Sequence, residues 1–249
     1  MPSRIDFSRA FSFYRTQAEK NKEVDLYPFF FKTNINDSIK LRKRISKVDH
    51  HGIYKFIDFF SYNLLIKQYF ELSEPVLKIQ NMLKEKYDIE PSRTIAVIYR
   101  GTDKHREVKI ASPELYLRKA KKLLYYNPNN KVLIQTDDIK VRDLFVDSLG
   151  EKCFFFQEMP VTDGATAIHE LNEEILQMSK MQFARLLLSV THFLSKSNYI
   201  INYTGNMALW ICLFRGNSEN VFQFDRSGKL VKSWQQMVHV LKYGLGSSL

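Results

Sequence analysis

Apolar positions along the chain follow two patterns. Between residues 60 and 88, "SYNLLIKQYFELSEPVLKIQNMLKEKYDI" spaces its apolar residues as helices do. Glu74-Pro75 marks a fresh helix start there, with Ser73 as cap and Pro75 in the first turn. From residue 94 short apolar runs take over: Ile95 to Ile98, "KVLIQTDD", "KCFFFQ", "NYIINY" and "NVFQFD". Each has the length and content of a buried strand. Between them lie helical stretches. "SPELYLRKAKKLLYYN" is capped by Ser112 with Pro113 behind it. "IKVRDLFVDSLG" is stopped by Gly150. "EEILQMSKMQFARLLLSVTHFLSKS" reads as one long amphipathic helix, and "MALWICLFRG" again ends in glycine.

Strand, loop and helix thus alternate at short intervals from about residue 94 to 225. That alternation predicts an α/β fold, a doubly wound parallel sheet of Rossmann-like type. Right-handed crossovers place the loops that follow the strands along one edge of the sheet. The polar loops "YRGTDK", "QTDD" and "YTGN" are therefore expected to converge there. Residues 1–60 are less regular. "LYPFFFKTN" reads as a short buried strand. "SIKLRKRISKVDHHG" is a basic surface segment, either a solvated face or a contact for an anionic acceptor. His50 and His51 are adjacent and so do not share a helix face as metal ligands do; they are read as non-metal.

Composition narrows the class. With 45% hydrophobic and 14% aromatic residues the 249-residue chain has material for a packed core, in one to two domains. A formal net charge of +10 favours anionic partners such as phosphates, nucleic acid, acidic glycans or membrane surfaces, without choosing among them. Cys153 and Cys212 sit in apolar runs and read as reduced core residues. The first residues lack a signal peptide's layout, and no apolar run approaches the ~18 residues of a membrane span. The chain is expected to be soluble and cytoplasmic, unless it is a piece of something longer.

The chemistry concentrates at strand ends. Arg100 and Lys104 suit a phosphate or diphosphate, and Gly101 lets backbone approach a ligand closely. Thr204, Gly205 and Asn206 stand just before a helix, whose N-terminus attracts phosphate. An ion pair between Arg100 and Asp103 that merely closes the loop is the plain alternative. Asp137 and Asp138 suit a divalent metal, sugar hydroxyls or a helix cap, and spacing leaves the three open. Glu107 and His105 are candidate general bases, whereas His169 and His192 read as packed or surface residues. Walker-type, dinucleotide-binding and nucleophile-elbow motifs are missing from the sequence, which disfavours those three classes.

These motifs resemble, in order and spacing, those of the α1,6-, α1,2- and protein O-fucosyltransferase superfamily. "AVIYRGTDK" resembles its first motif, "VLIQTDD" its second and "THFLSKSNYIINYTGNMALWICLFRG" its third; the resemblance spans roughly residues 68–225. It implies a GT-B-type, inverting, metal-independent enzyme that uses GDP-fucose as donor substrate and a glycan as acceptor, with no other cofactor. Arg100 then matches the family's phosphate-binding arginine, Asp103 and Lys104 the Asp-Lys that follows, and Asp137 and Asp138 the second-motif pair. Glu107 lies one position short of the α1,6 branch's catalytic glutamate. Gly101 replaces the usual second arginine, Ile98 a frequent histidine, and Val190 an aspartate that reads guanine. The implied organisation is a reduced N-terminal, acceptor-side region at 1–90, a nucleotide-sugar domain at 91–225 and a helical tail at 226–249. The rival is a non-catalytic basic α/β module for nucleic acid or polyanions. It is disfavoured because the aromatic residues do not interleave with basic ones as a stacking platform requires.

Overall fold

The computed structural model describes residues 31, 52–102, 109–164 and 166–231. Its centre is a five-stranded sheet: β1 (Thr94–Tyr99), β2 (Lys131–Thr136), β3 (Cys153–Phe154), β4 (Tyr199–Tyr203) and β5 (Val221–Phe224). The strand order is β3-β2-β1-β4-β5, and every pairing is parallel. The chain steps outward from β1 to β3, then crosses back to lay β4 on the other side of β1. The doubly wound α/β fold read from the sequence is the fold observed.

Parallel strands bury both faces, which is why these runs are apolar almost throughout. Alternate residues divide between two cores. Ile95, Val97, Val132, Ile134 and Ile201 point to one face, covered by α3 (Pro113–Tyr126) and α4 (Ile139–Leu149). Ala96, Ile98, Leu133 and Ile200 point to the other. There they meet α1 (Phe59–Tyr69), α2 (Glu74–Tyr87), α6 (Lys180–Ser195) and α7 (Asn206–Arg215). The helices at 59–87 join this core through its other helices, α1 lying against α7 and α2 against α6. Phe31 reaches this second core as well, with its ring edge-on to Phe70 at 5.1 Å. Cys153 and Cys212 are both free thiols, and burial pushes each up to about 12.

Two elements differ from their sequence reading. The long helix expected from "EEIL" to "LSKS" is broken: α5 (Glu173–Leu176) ends at Gln177, which adopts a left-handed φ of 54°. A new helix, α6, then starts at Ser179. The Ser179 hydroxyl accepts from the Gln182 N–H while the Gln182 side chain accepts from the Ser179 N–H. This reciprocal cap satisfies two N–H groups that a fresh helix start would otherwise leave without a partner. The run "KCFFFQ" gives only two residues of strand. After Phe154 the chain leaves the sheet, Phe156 enters the core, and the Gln157 N–H donates to the Tyr87 hydroxyl at 2.7 Å.

A polar seam joins α2 to α6. The Ser189 hydroxyl donates to the Val76 carbonyl at 2.7 Å, and the Gln80 amide meets His192 Nδ1 at 2.9 Å. Burial, aided by the Lys196 ammonium, lowers the His192 pKa from 6.5 to about 4. The unfolded chain therefore takes up a proton near pH 6.5 and the folded one only near 4. Stability contributed by neutral His192 is complete above that window and lost as pH falls through it, by about 3 kcal/mol. The urea midpoint of the wild type is expected to fall more steeply between pH 7 and 4.5 than that of His192→Gln. Equal slopes would show that His192 stays exposed to solvent.

Candidate functional site

The site lies at the carboxyl ends of the strands, where the sheet order reverses between β1 and β4. Chain leaving β1 passes to α3 on one face, and chain leaving β4 passes to α7 on the other. Such a switch point is where open α/β sheets bind ligands.

At the end of β1, Arg100, Gly101 and Thr102 close down on Asp137, which follows β2. The Asp137 carboxylate accepts from the Gly101 N–H at 2.8 Å and from the Thr102 hydroxyl at 2.7 Å. Arg100 Nε lies 3.5 Å from the same group; the Arg100 side chain is 41% exposed against 10% for Asp137. Burial raises the Asp137 pKa, and the Thr102, Gly101 and Arg100 contacts oppose that rise. Asp137 is thus a latch for the loop after β1. Its carbonyl also accepts from the Thr162 N–H at 2.8 Å, tying in the segment that follows β3.

Asp138 does a different job. Its Oδ1 accepts from the Lys140 N–H at 2.9 Å and caps α4, while Thr136 Oγ1 accepts from its own N–H. The other carboxylate oxygen fills the space beside Gly101 and Gly164: a Cβ on either would lie 3.0 or 3.1 Å from it. Gly101 is packed closely against Asp138 and the Tyr99 ring, and a side chain there would have to displace them by a few tenths of an ångström. Tyr99, buried and facing the carboxylates of Asp138, Glu114 and Asp137, has its phenol pushed up to about 12.

Across the switch point, Thr204 is fully buried and its N–H donates to the Phe224 carbonyl at 2.9 Å. Tyr54, from a 3₁₀ turn at Tyr54–Phe56, reaches the next residue. Its hydroxyl donates to the Gly205 carbonyl at 2.9 Å and accepts from the Gly205 N–H at 3.0 Å. Burial raises the Tyr54 phenol well above its ordinary value, so it remains a donor. A Cβ on Gly205 would sit 2.8 Å from the Tyr203 hydroxyl, so any larger residue would have to push the Tyr203 ring aside. Of the three residues expected to receive a phosphate, Gly205 has its N–H engaged by Tyr54 and Thr204 by Phe224. Asn206 is exposed and opens α7, a helix whose N-cap residue supplies no side-chain hydrogen bond.

Arg100, Gly101, Asp137, Asp138, Thr204, Gly205 and Asn206 thus share one edge of the sheet. Asp103, Lys104, His105 and Glu107 lie outside the described residues. Ile98 and Val190, which depart from the family pattern, are both core residues here. Thr102 and Tyr54 were not singled out in the sequence; no local signal links Tyr54 to a loop 151 positions away. Asn202, fully buried on β4, is a third, and its signal was a lone amide within an apolar strand. Among the described residues, no group of three or more His, Cys, Asp or Glu is placed to hold a metal ion. Also among them, no helix is long and apolar enough to cross a membrane.

No protein-family model and no curated protein matches the chain. Among solved structures it is similar to NodZ α-1,6-fucosyltransferase co-crystallized with GDP, with a TM-score of 0.43 and 19% identity over 68% of this chain and 50% of that one. The same enzyme soaked with GDP-fucose gives 0.43 and 18% over 68% and 51%. Fucosyltransferase NodZ from Bradyrhizobium gives 0.42 and 18% over 68% and 50%. The chain spans about half the length of these structures.

Proposed function

We propose that the chain carries the donor-binding half of a GT-B-type glycosyltransferase, an inverting fucosyltransferase that takes GDP-fucose and needs no divalent metal. The observation that carries this reading is the meeting of three loops at one switch point. An arginine beside a buried aspartate and a helix N-terminus with no side-chain cap lie on the same edge, and the loops follow the order of the fucosyltransferase motifs.

In this reading an acceptor hydroxyl attacks the anomeric carbon from the side opposite the diphosphate. The new C–O bond forms as the bond from anomeric carbon to phosphate oxygen breaks, and GDP leaves with the electron pair. Glu107 takes the acceptor's proton. Arg100, Lys104 and the α7 N-terminus stabilise the charge that develops on the diphosphate, and in many enzymes such stabilisation lowers the barrier more than any other single effect. Because these groups neutralise the diphosphate, Asp137 and Asp138 need not hold a metal. Asp137 keeps Arg100 and the loop in place, and Asp138 with Asp103 borders the donor sugar.

Calorimetry on the chain checks this. GDP and GDP-fucose are expected to bind in EDTA, with affinity unchanged by added Mn²⁺. Tight UDP binding with no GDP binding would overturn the donor assignment. Activity abolished by EDTA and restored by Mn²⁺ would instead make ligands of the two aspartates.

A further inference from the structure

The ladder between β1 and β4 joins Ile95–Val97 to Tyr199–Ile201 and ends there. β1 stays paired to β2 through Tyr99, and β4 to β5 through Tyr203. The two strands therefore part over their last two residues, and Asn202 is the first residue of β4 past the final rung. It points to the face that α7 covers, since its neighbours Ile201 and Tyr203 point to the other.

Asn202 has no exposed surface, yet neither its Nδ2 nor its Oδ1 has a hydrogen-bond partner. Its register partner on β5, Gln223, is turned to other groups: Gln223 Oε1 accepts from the Tyr54 N–H at 2.9 Å and its Nε2 donates to the Gly52 carbonyl at 2.8 Å. A buried amide with both ends unmet is costly and calls for a partner that arrives from outside the chain. That partner has to offer a donor and an acceptor side by side. A phosphate offers acceptors alone and leaves Oδ1 unmet; a cation leaves Nδ2 unmet; a water offers both but needs further polar groups around it to hold it. The edge of a nucleobase offers both at the amide's own spacing, as in the bidentate pairing of Asn side chains with bases.

We infer that Asn202 is a specificity-determining residue that reads the base of the donor nucleotide through two hydrogen bonds, to N1–H and O6 when the base is guanine. The inference rests on the nucleotide-sugar reading above, and it assigns the base to the end of the sheet where the β1–β4 ladder stops, on the face that α7 covers.

Calorimetry with GDP and with inorganic pyrophosphate, on wild type and Asn202→Leu, tests it. The variant is expected to bind GDP at least about thirtyfold more weakly, as sites built to pair a polar group lose heavily when one side is removed. Its pyrophosphate affinity should stay within about twofold, because Arg100 and the α7 N-terminus are untouched. The unliganded variant should melt no lower than wild type, since leucine replaces an amide without partners. If Asn202→Leu does not fold, Asn202→Ala is read in the same way. An unchanged ratio of GDP to pyrophosphate affinity overturns the inference. Wild type that binds pyrophosphate but GDP no more tightly also overturns it and leaves the phosphate edge standing. Wild type that binds neither removes the glycosyltransferase reading as well.

Discussion

Arg100→Lys is expected to lower sugar-transfer turnover by at least about a hundredfold while the protein melts as wild type does. The loss corresponds to one transition-state donor, about 2.7–4 kcal/mol. Lysine keeps the charge but not the planar fork that meets two phosphate oxygens at once. The neighbouring position offers no reserve, because Gly101 has no side chain and the Asp138 carboxylate closes in on it, 3.0 Å from where a Cβ would stand. The fold should survive. Arg100 is two-fifths exposed, and its pairing with Asp137 at 3.5 Å is long for a salt bridge. Exposed pairs of this kind contribute about 0–1 kcal/mol. A normally melting Arg100→Lys protein that transfers sugar at wild-type rate would remove Arg100 as the phosphate anchor. Its pairing with Asp137 would then be a structural tie of the loop.

Much of this edge was legible because fully buried parallel strands leave a strong local mark. "TIAVIY", "KVLIQT", "YIINY" and "VFQF" each became a strand, and the polar residues behind them fell on one edge as right-handed crossovers require. The break at Gln177 was legible in principle, since Ser179 and Gln182 carry the spacing of a capping box. Hydrophobic periodicity runs unbroken on both sides and hides it. The division of labour between Asp137 and Asp138 was not legible. Adjacent carboxylates look alike in sequence, and only the pleat decides which turns inward to Gly101 and Thr102 and which caps α4. Nor was Tyr54, whose partner is fixed by how the segment before α1 lies over β5. Asn202 was visible as a polar residue in an apolar strand. Its significance depends on where the β1–β4 ladder stops, which is a property of two strands and not of one.

Asp137→Ala should cost both stability and donor binding, and Asp137→Asn should separate the two. Alanine removes the acceptor of the Gly101 N–H and of the Thr102 hydroxyl, and Thr102 is only 3% exposed. Leaving such donors without that acceptor costs about 1–3 kcal/mol each, so a loss of about 2–6 kcal/mol is expected at pH 7. Asparagine keeps Oδ1 for the Gly101 N–H, and the Thr102 hydroxyl can turn to accept from Nδ2. It also avoids burying a charge. Because burial raises the Asp137 pKa, the folded protein favours the protonated form more than the unfolded chain does. The stability this lends is present below the unfolded value near 3.8 and is lost as pH rises through the folded value. The neutral amide does not suffer that loss, so Asp137→Asn should stay within about 1 kcal/mol of wild type at pH 7, and its stability relative to wild type should improve from pH 3.5 to 7. Its affinity for GDP should still fall, since Arg100 loses the charge that holds it toward the edge. Urea denaturation at the two pH values, with GDP titration at pH 7, reads all three effects. If Asp137→Ala unfolds at the wild-type urea concentration, the loop after β1 does not hang on Asp137. The site would then have to be rebuilt around Arg100 and α7 alone.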